Sequence, residues 1–176
     1  RYERFPVRYG MSTHPHGSAY DPAAAAADFD YVNSGYTDSA PAATTMSTGV
    51  KTYDGAIGVG PDRQPLVHAI QVAETLGKAT GVVTSVEWTH ATPAGFVAHN
   101  ENRNNYEAIG REMVLQSRVD VIMGCGHPWF DNDGRSVNTA NSYRYVGGSS
   151  LWADLQAGTA GGDADGDGDP DPWTLV

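Results

Sequence analysis

Cysteine is nearly absent: Cys125 stands alone, so no disulfide can close within the chain. A lone cysteine fixes no redox compartment, and its expected place is a small buried position near a strand end. Long apolar runs are missing too. No stretch approaches the roughly 20 residues of a membrane-spanning helix. The opening Arg1-Tyr2-Glu3-Arg4 has no initiator methionine and no apolar leader segment, so no signal peptide is legible. Positive charge is scarce, with 11 Lys and Arg against 21 Asp and Glu and a net charge of −10. A broad nucleic-acid-binding surface needs a basic stripe and is not expected. Six aspartates (Asp154, Asp163, Asp165, Asp167, Asp169 and Asp171) lie in residues 151–176 without one Lys or Arg, which leaves −4 for the rest. An anionic substrate would need local help from metal ions or a placed arginine.

The 176 residues are 40% hydrophobic, enough for one domain with a core and too apolar for a disordered polymer. Residues 1–20 are punctuated by Pro, Gly and His and read as loop. Alanines after Asp21-Pro22 predict a helix over about Pro22 to Val32. A second helix should start at Ser39 and stop near Gly49, followed by a short strand and turn over Lys51 to Gly60. Pro65 opens a helix over Leu66 to Leu76, with Gly77 as its stop. Thr80 to Val86 is β-branched and reads as a buried strand. Asn104 to Gln116 reads as a helix with Tyr106, Ile109, Met113 and Leu115 on its apolar side. Val119 to Gly124 is a second buried strand. Strand, helix, strand with glycine-rich exits predicts an α/β domain with a largely parallel sheet, in which function gathers at the carboxyl ends of strands. Residues 128–176 show weaker periodicity and no repeat.

The segment Thr37-Asp38-Ser39-Ala40-Pro41-Ala42-Ala43-Thr44-Thr45-Met46-Ser47-Thr48-Gly49-Val50-Lys51-Thr52-Tyr53-Asp54-Gly55 is the most informative. Ser39 begins a helix of small residues. A hydroxyl there sits where free N–H groups and the helix dipole favour an anion. An isolated Asp-Ser at a helix start is usually an N-cap, but the length of this pattern points further. It closely resembles the nucleophile motif of the alkaline phosphatases, in which the serine becomes a phosphoserine. A second segment, His90-Ala91-Thr92-Pro93-Ala94 followed by Arg103, resembles that family's magnesium and substrate-arginine segment in order and spacing. The resemblance covers about residues 20–130.

That resemblance implies a three-layer α/β sandwich with a mostly parallel central sheet, incomplete in this chain. It implies Ser39 as nucleophile and, when deprotonated, as a zinc contact. Arg103 grips the phosphate as a planar fork, and Asp38 orients it. Thr92 is implied as a magnesium ligand, with His90 behind it. His68, His99 and His127 match no ligand position and are expected to be structural or exposed. Family cofactors are Zn²⁺ and Mg²⁺, substrates are small phosphate monoesters, and members are exported to the periplasm or secreted and often homodimeric. The family's other ligand segments (an Asp on an N-terminal strand in a Gly-Asp-Gly context, and downstream an Asp-x-x-x-His and an Asp-His pair) have no counterpart here. The expectation is therefore an internal fragment, inactive alone, with sheet edges left unpaired.

The acidic run Asp163-Ala164-Asp165-Gly166-Asp167-Gly168-Asp169-Pro170-Asp171 spaces oxygens like a calcium loop of the EF-hand kind, though Thr174 stands where the bidentate Glu belongs. Calcium binding at Asp163, Asp165, Asp167, Asp169 and Asp171 is expected, with Trp152, Trp173 and Leu175 as packing partners; the bland alternative is a flexible acidic linker. The division expected is 1–150 for the α/β part and 151–176 for the acidic segment. Two rivals to the phosphatase reading are a calcium-dependent binding or structural module and a family relative that has lost catalysis.

Overall fold

The structure is a computed structural model that describes residues 2–10, 12–163, 165 and 167–176. Its elements are α1 (Pro22–Ala27), α2 (Ser39–Thr48), α3 (Ala69–Thr75), β1 (Gly81–Glu87), α4 (Ala91–Ala94), α5 (Tyr106–Leu115), β2 (Val121–Cys125), α6 (Gly148–Ala157), β3 (Gly161–Gly162) and β4 (Asp171–Pro172), with 3₁₀ turns at Tyr2–Arg4, Phe29–Asn33 and Arg144–Val146. β1 and β2 pair in parallel, Gly81 opposite Val121 and Val83 opposite Met123, joined through α4 and α5. A parallel pair needs such a crossover. β3 and β4 form a short antiparallel pair, Gly161 opposite Pro172. The protein is thus α/β with a parallel strand pair flanked by helices, as the sequence predicts.

The core has two parts. One gathers Ala40, Ile57, Val82, Ala91, Ala94, Val97, Ala98, Ile109, Met113 and Val119. The other gathers Val114, Val146, Leu151, Trp152, Leu155 and Ala160. α5 feeds both, because Tyr106, Ile109, Gly110, Met113 and Val114 form its buried face. This is the stripe its periodicity predicts, with Val114 added to it and Leu115 half-buried against the second core.

Several local expectations are corrected. The first helix stops at Ala27, because Asp28 turns extended and its carboxylate accepts the Asp30 N–H, opening a 3₁₀ turn instead. Lys51 to Gly60 forms no strand: Ile57 bridges Asn100 and Val59 bridges Pro65 as single pairs, interrupted by Gly55 and Gly58 at positive φ. The next helix begins at Ala69, not Leu66, because the Leu66 N–H is used by the Gly58 carbonyl. The strands are not buried as expected. Val83 is 71% exposed and Met123 57%, since a pair of strands leaves sheet faces that no described element covers. Cys125, at the end of β2, is exposed for the same reason. α6 was not legible from the weak periodicity of its region. It carries Leu151, Trp152 and Leu155 inward between left-handed glycines at Gly147 and Gly158.

Candidate active site

The short side chains of α2 allow it to lie close to α4. A Cβ on Gly95 would come within 2.7 Å of the Ala43 Cβ, and the Ser47 hydroxyl donates to the Gly95 carbonyl. α2 is also fastened to the loop that follows it. Thr44 Oγ1 donates to the Ala56 carbonyl (3.1 Å) and accepts from the Gly58 N–H (2.9 Å). Buried hydroxyls with backbone partners explain the Thr- and Ser-rich helix. Because α2 and α4 touch, the residues at their starts, Ser39 and His90, face one region. Pro41 sits within the first turn of α2, where its missing N–H removes no helical bond.

Asp38 is the residue before α2, but its side chain makes no cap hydrogen bond to the helix. Its Oδ2 accepts the Gly55 N–H at 3.0 Å, and its Oδ1 pairs with the Arg103 guanidinium. The same Arg103 nitrogen, Nη1, donates to Ser39 Oγ at 2.7 Å. Ser39 Oγ also lies 3.5 Å from Asp38 Oδ1. Arg103 reaches this position because its backbone N–H donates to the Gly55 carbonyl at 2.7 Å. Gly55, at φ 87°, therefore holds both members of the ion pair. Its signal in the sequence is the Asp54-Gly55 turn at the end of the motif. The Asp38 and Arg103 side chains are about four-fifths buried, so their pairing is shielded more than a surface bridge.

The other terminal nitrogen of Arg103, Nη2, lies 3.4 Å from His90 Nδ1. Burial lowers the His90 pKa, and the Arg103 charge lowers it further. A neutral imidazole with Nδ1 as acceptor matches that contact. The structure thus brings Ser39, Asp38, Arg103 and His90 together. Thr92 is exposed on the first turn of α4 and makes no hydrogen bond with this group among the described residues.

His68, His99 and His127 divide. His68 is wholly buried, and its ring lies tilted against that of His99, with centroids 4.5 Å apart. His99 Nδ1 pairs with Glu112 at 2.8 Å, and its Nε2 meets the Leu66 carbonyl at 2.8 Å. His127 is exposed and packs edge-on against Phe130 and Trp152. Sequence reasoning left Tyr106 as a core residue only, yet its ring stacks on His90, with centroids 5.8 Å apart.

A zinc centre takes about four nitrogen, sulfur or carboxylate donors. Around Ser39 the nearest candidates are already committed, Asp38 to Arg103 and Gly55, and His90 to Arg103. Among the described residues, the one group of three acidic, His or Cys side chains close enough to share an ion is Asp163, Asp165 and Asp171, all exposed, with ligand atoms within 4.8 Å of one another. The donors on this chain therefore do not fit the zinc pair of the resemblance. In the acidic loop, Asp167 and Asp169 fall outside that trio. Asp167 instead accepts the Asp169 N–H at 2.8 Å. Ala164 and Gly166 of the expected calcium loop lie outside the described residues. Trp173 anchors the following strand, with its indole N–H on the Val114 carbonyl at 2.9 Å, whereas Leu175 is exposed.

Fold and site together define an α/β protein whose helix-start serine lies under an arginine, an anion-ready arrangement. Comparison places it more narrowly. Residues 16–159 match the alkaline phosphatase family model, and the chain belongs to that family. It is 39% identical over 106 residues to alkaline phosphatase 4 of Bacillus subtilis strain 168, covering 57% of this chain and 23% of that protein. It is 38% identical over 146 residues to alkaline phosphatase H of Pseudomonas aeruginosa strain UCBPP-PA14, covering 73% of this chain and 28% of that one. A crystal structure of a cold-active alkaline phosphatase from a psychrophilic Shewanella superposes with TM-score 0.58 at 36% identity, over 83% of this chain and 29% of its own. The chain thus spans less than a third of the length of each of these three relatives. No helix among the described residues is long and apolar enough to cross a membrane.

Proposed function

We propose that this chain carries the nucleophile and phosphate grip of a phosphomonoesterase. The observation that supports it most directly is Arg103, whose Nη1 joins Asp38 to Ser39 Oγ at 2.7 Å. A cation donating to the serine oxygen stabilises its deprotonated form. The same fork can bind two oxygens of a phosphate dianion. Ser39 Oγ would give up its proton to water and form the bond to phosphorus while the bond from phosphorus to the ester oxygen breaks. The departing alcohol takes a proton back from water. Water then displaces Ser39 from the phosphoserine, releasing phosphate and restoring the hydroxyl. Asp38 holds the guanidinium in place throughout, and neutral His90 offers it a second anchor without competing charge.

Zinc and magnesium belong to this proposal only with donors beyond those described. Thr92 and His90 alone do not make up a magnesium shell of about six oxygens. The chain by itself is therefore expected to bind phosphate without turning over esters. Export to the periplasm or the medium, and a homodimer, are proposed on the family likeness alone.

Inorganic phosphate titrated into the labelled chain tests this. The amide signals of Ser39 and Ala40 and the Arg103 side-chain signals should shift together, and Arg103→Ala should abolish the effect. Shifts scattered over the surface and indifferent to Arg103→Ala would sink the reading. Metal-dependent hydrolysis of a phosphate monoester by this chain alone would contradict the donor argument.

A further inference from the structure

Arg103 is anchored at both ends of its guanidinium, by Asp38 and Ser39 at Nη1 and by His90 at Nη2. The first anchor is a charged pair. The second depends on where the His90 ring stands, and Arg103 is the ring's one hydrogen-bond partner among the described residues. What fixes the ring is therefore an aromatic contact. Tyr106 opens α5 and is 7% exposed. It lies nearly parallel to His90, at 24° with centroids 5.8 Å apart. The Tyr106 hydroxyl has no hydrogen bond among the described residues, so the ring itself makes the contact.

Tyr106 is in turn clamped. The Tyr145 ring meets it edge-on at 4.9 Å. The Arg144 guanidinium carbon stands 4.4 Å from the Tyr106 centroid and 4.8 Å from that of Tyr145, within the range of a cation–π contact. Arg144 is exposed and forms no ion pair among the described residues, so the two rings are its ordered neighbours. The clamp also reaches the His90 backbone. Thr89, wholly buried and next in chain to His90, donates its hydroxyl to the Tyr145 carbonyl at 3.2 Å. The 3₁₀ turn Arg144–Val146 lies close on α5, where a Cβ on Gly110 would come within 2.9 Å of the Gly147 nitrogen.

We propose that Tyr106 is a positioning residue for the phosphate-gripping Arg103, acting through the stacked His90 ring and held by the Arg144–Tyr145 clamp. The inference rests on the functional reading of Arg103 given above. Aromatic stacking and cation–π contact are sensitive to geometry, so a ring at position 106 matters more than its hydroxyl. The surface residue Arg144 then tunes a site it does not touch.

The test reads Arg103 itself. Rotation about its Cζ–Nε bond is measured by side-chain nitrogen NMR on the full chain, alongside the melting midpoint and the affinity for inorganic phosphate. In Tyr106→Leu and Arg144→Met the rotation is expected to speed up severalfold and phosphate affinity to fall severalfold. Tyr106→Phe should keep the wild-type rotation. Unchanged rotation in folded Tyr106→Leu, or equal loss in Tyr106→Phe and Tyr106→Leu, would overturn the proposal. If Tyr106→Leu fails to fold, Arg144→Met decides, since its side chain is exposed. The functional reading fails separately: wild-type chain that binds no phosphate through Arg103 defeats that reading, while the rotation rates still decide the positioning role.

Discussion

Asp38 shows how one residue can be right in type and different in job. An aspartate before a helix most often caps it. Here its two oxygens go instead to Gly55 and Arg103. Asp38→Ala would leave the Gly55 N–H and a largely buried guanidinium without their acceptor, at a cost of about 1–3 kcal/mol. Urea unfolding should show that loss. Phosphate should restore part of it, because an anion can replace the carboxylate on Arg103, whereas chloride at equal ionic strength should not. Equal rescue by both salts would mean that Arg103 is a structural cation only. Asp38, Ser39, His90 and Arg103 were legible in the sequence because a long pattern carries them, and so was the pairing of Asp38 with Arg103; the contact of His90 with Arg103, in place of a role behind Thr92, was not. Tyr106 and Gly55 were not. Their roles arise from ring stacking and from backbone bonds between segments 17 and 48 positions apart, which no local period reveals.

At the scale of elements, the loop after α2 works as a fastener, and its weak point is Gly58. This residue has φ 59°, a conformation that L side chains rarely adopt. A Cβ there would lie 2.2 Å from the Ala98 carbonyl oxygen and 2.6 Å from His68 Nε2. Gly58→Ala is expected to cost about 3 kcal/mol or more and to loosen α2 through Thr44; a melting midpoint within a degree of wild type would refute this. The neighbouring histidines bracket the pH response. Burial holds His68 down to about 4, with the His99 charge adding to the effect. The unfolded chain takes this proton near pH 6.5, so the neutral His68 contributes stability that falls away as pH drops from about 6.5 toward 4. Each unit of that depression is worth about 1.4 kcal/mol. His99 runs the other way. Burial opposes its charge but is outweighed by the Glu112 hydrogen bond, the Leu66 carbonyl and the Glu112 charge, so its pKa is raised. Its contribution is full below pH 6.5 and fades as pH rises through the folded value. Urea stability measured across pH should peak between these limits. His68→Leu should flatten the acid flank and leave the alkaline one, and an unchanged acid flank would assign the loss to other groups. The helix α3 was readable as a type, whereas the strand expected over Lys51 to Gly60 is replaced by single bridges at Ile57 and Val59. The start of α3 was not readable, because Leu66 and Gly58 settle it by a backbone bond outside any helical pattern. α6 was hidden by a polar, glycine-flanked surface around three inward residues.

The whole molecule carries a sheet that is unusual for its class. Parallel strands are generally covered on both faces, yet β1 and β2 leave Val83, Val86, Val121 and Met123 exposed. The apolar content that made the segments read as buried strands is real; what differs is the partner for those faces. Sequence period reports that a side chain wants cover, and not whether cover is present. The chain should therefore bind a hydrophobic reporter dye while folded and lose solubility as concentration rises, since exposed apolar faces and open strand edges favour association. Val83→Lys with Met123→Lys should reduce the dye signal and improve solubility, with little change in melting midpoint, because neither side chain contributes much buried area to lose. Neither side chain belongs to either core, so a large drop in midpoint would show that the face is packed in solution. A wild-type chain that stays monodisperse and dye-silent at high concentration would show the same thing directly.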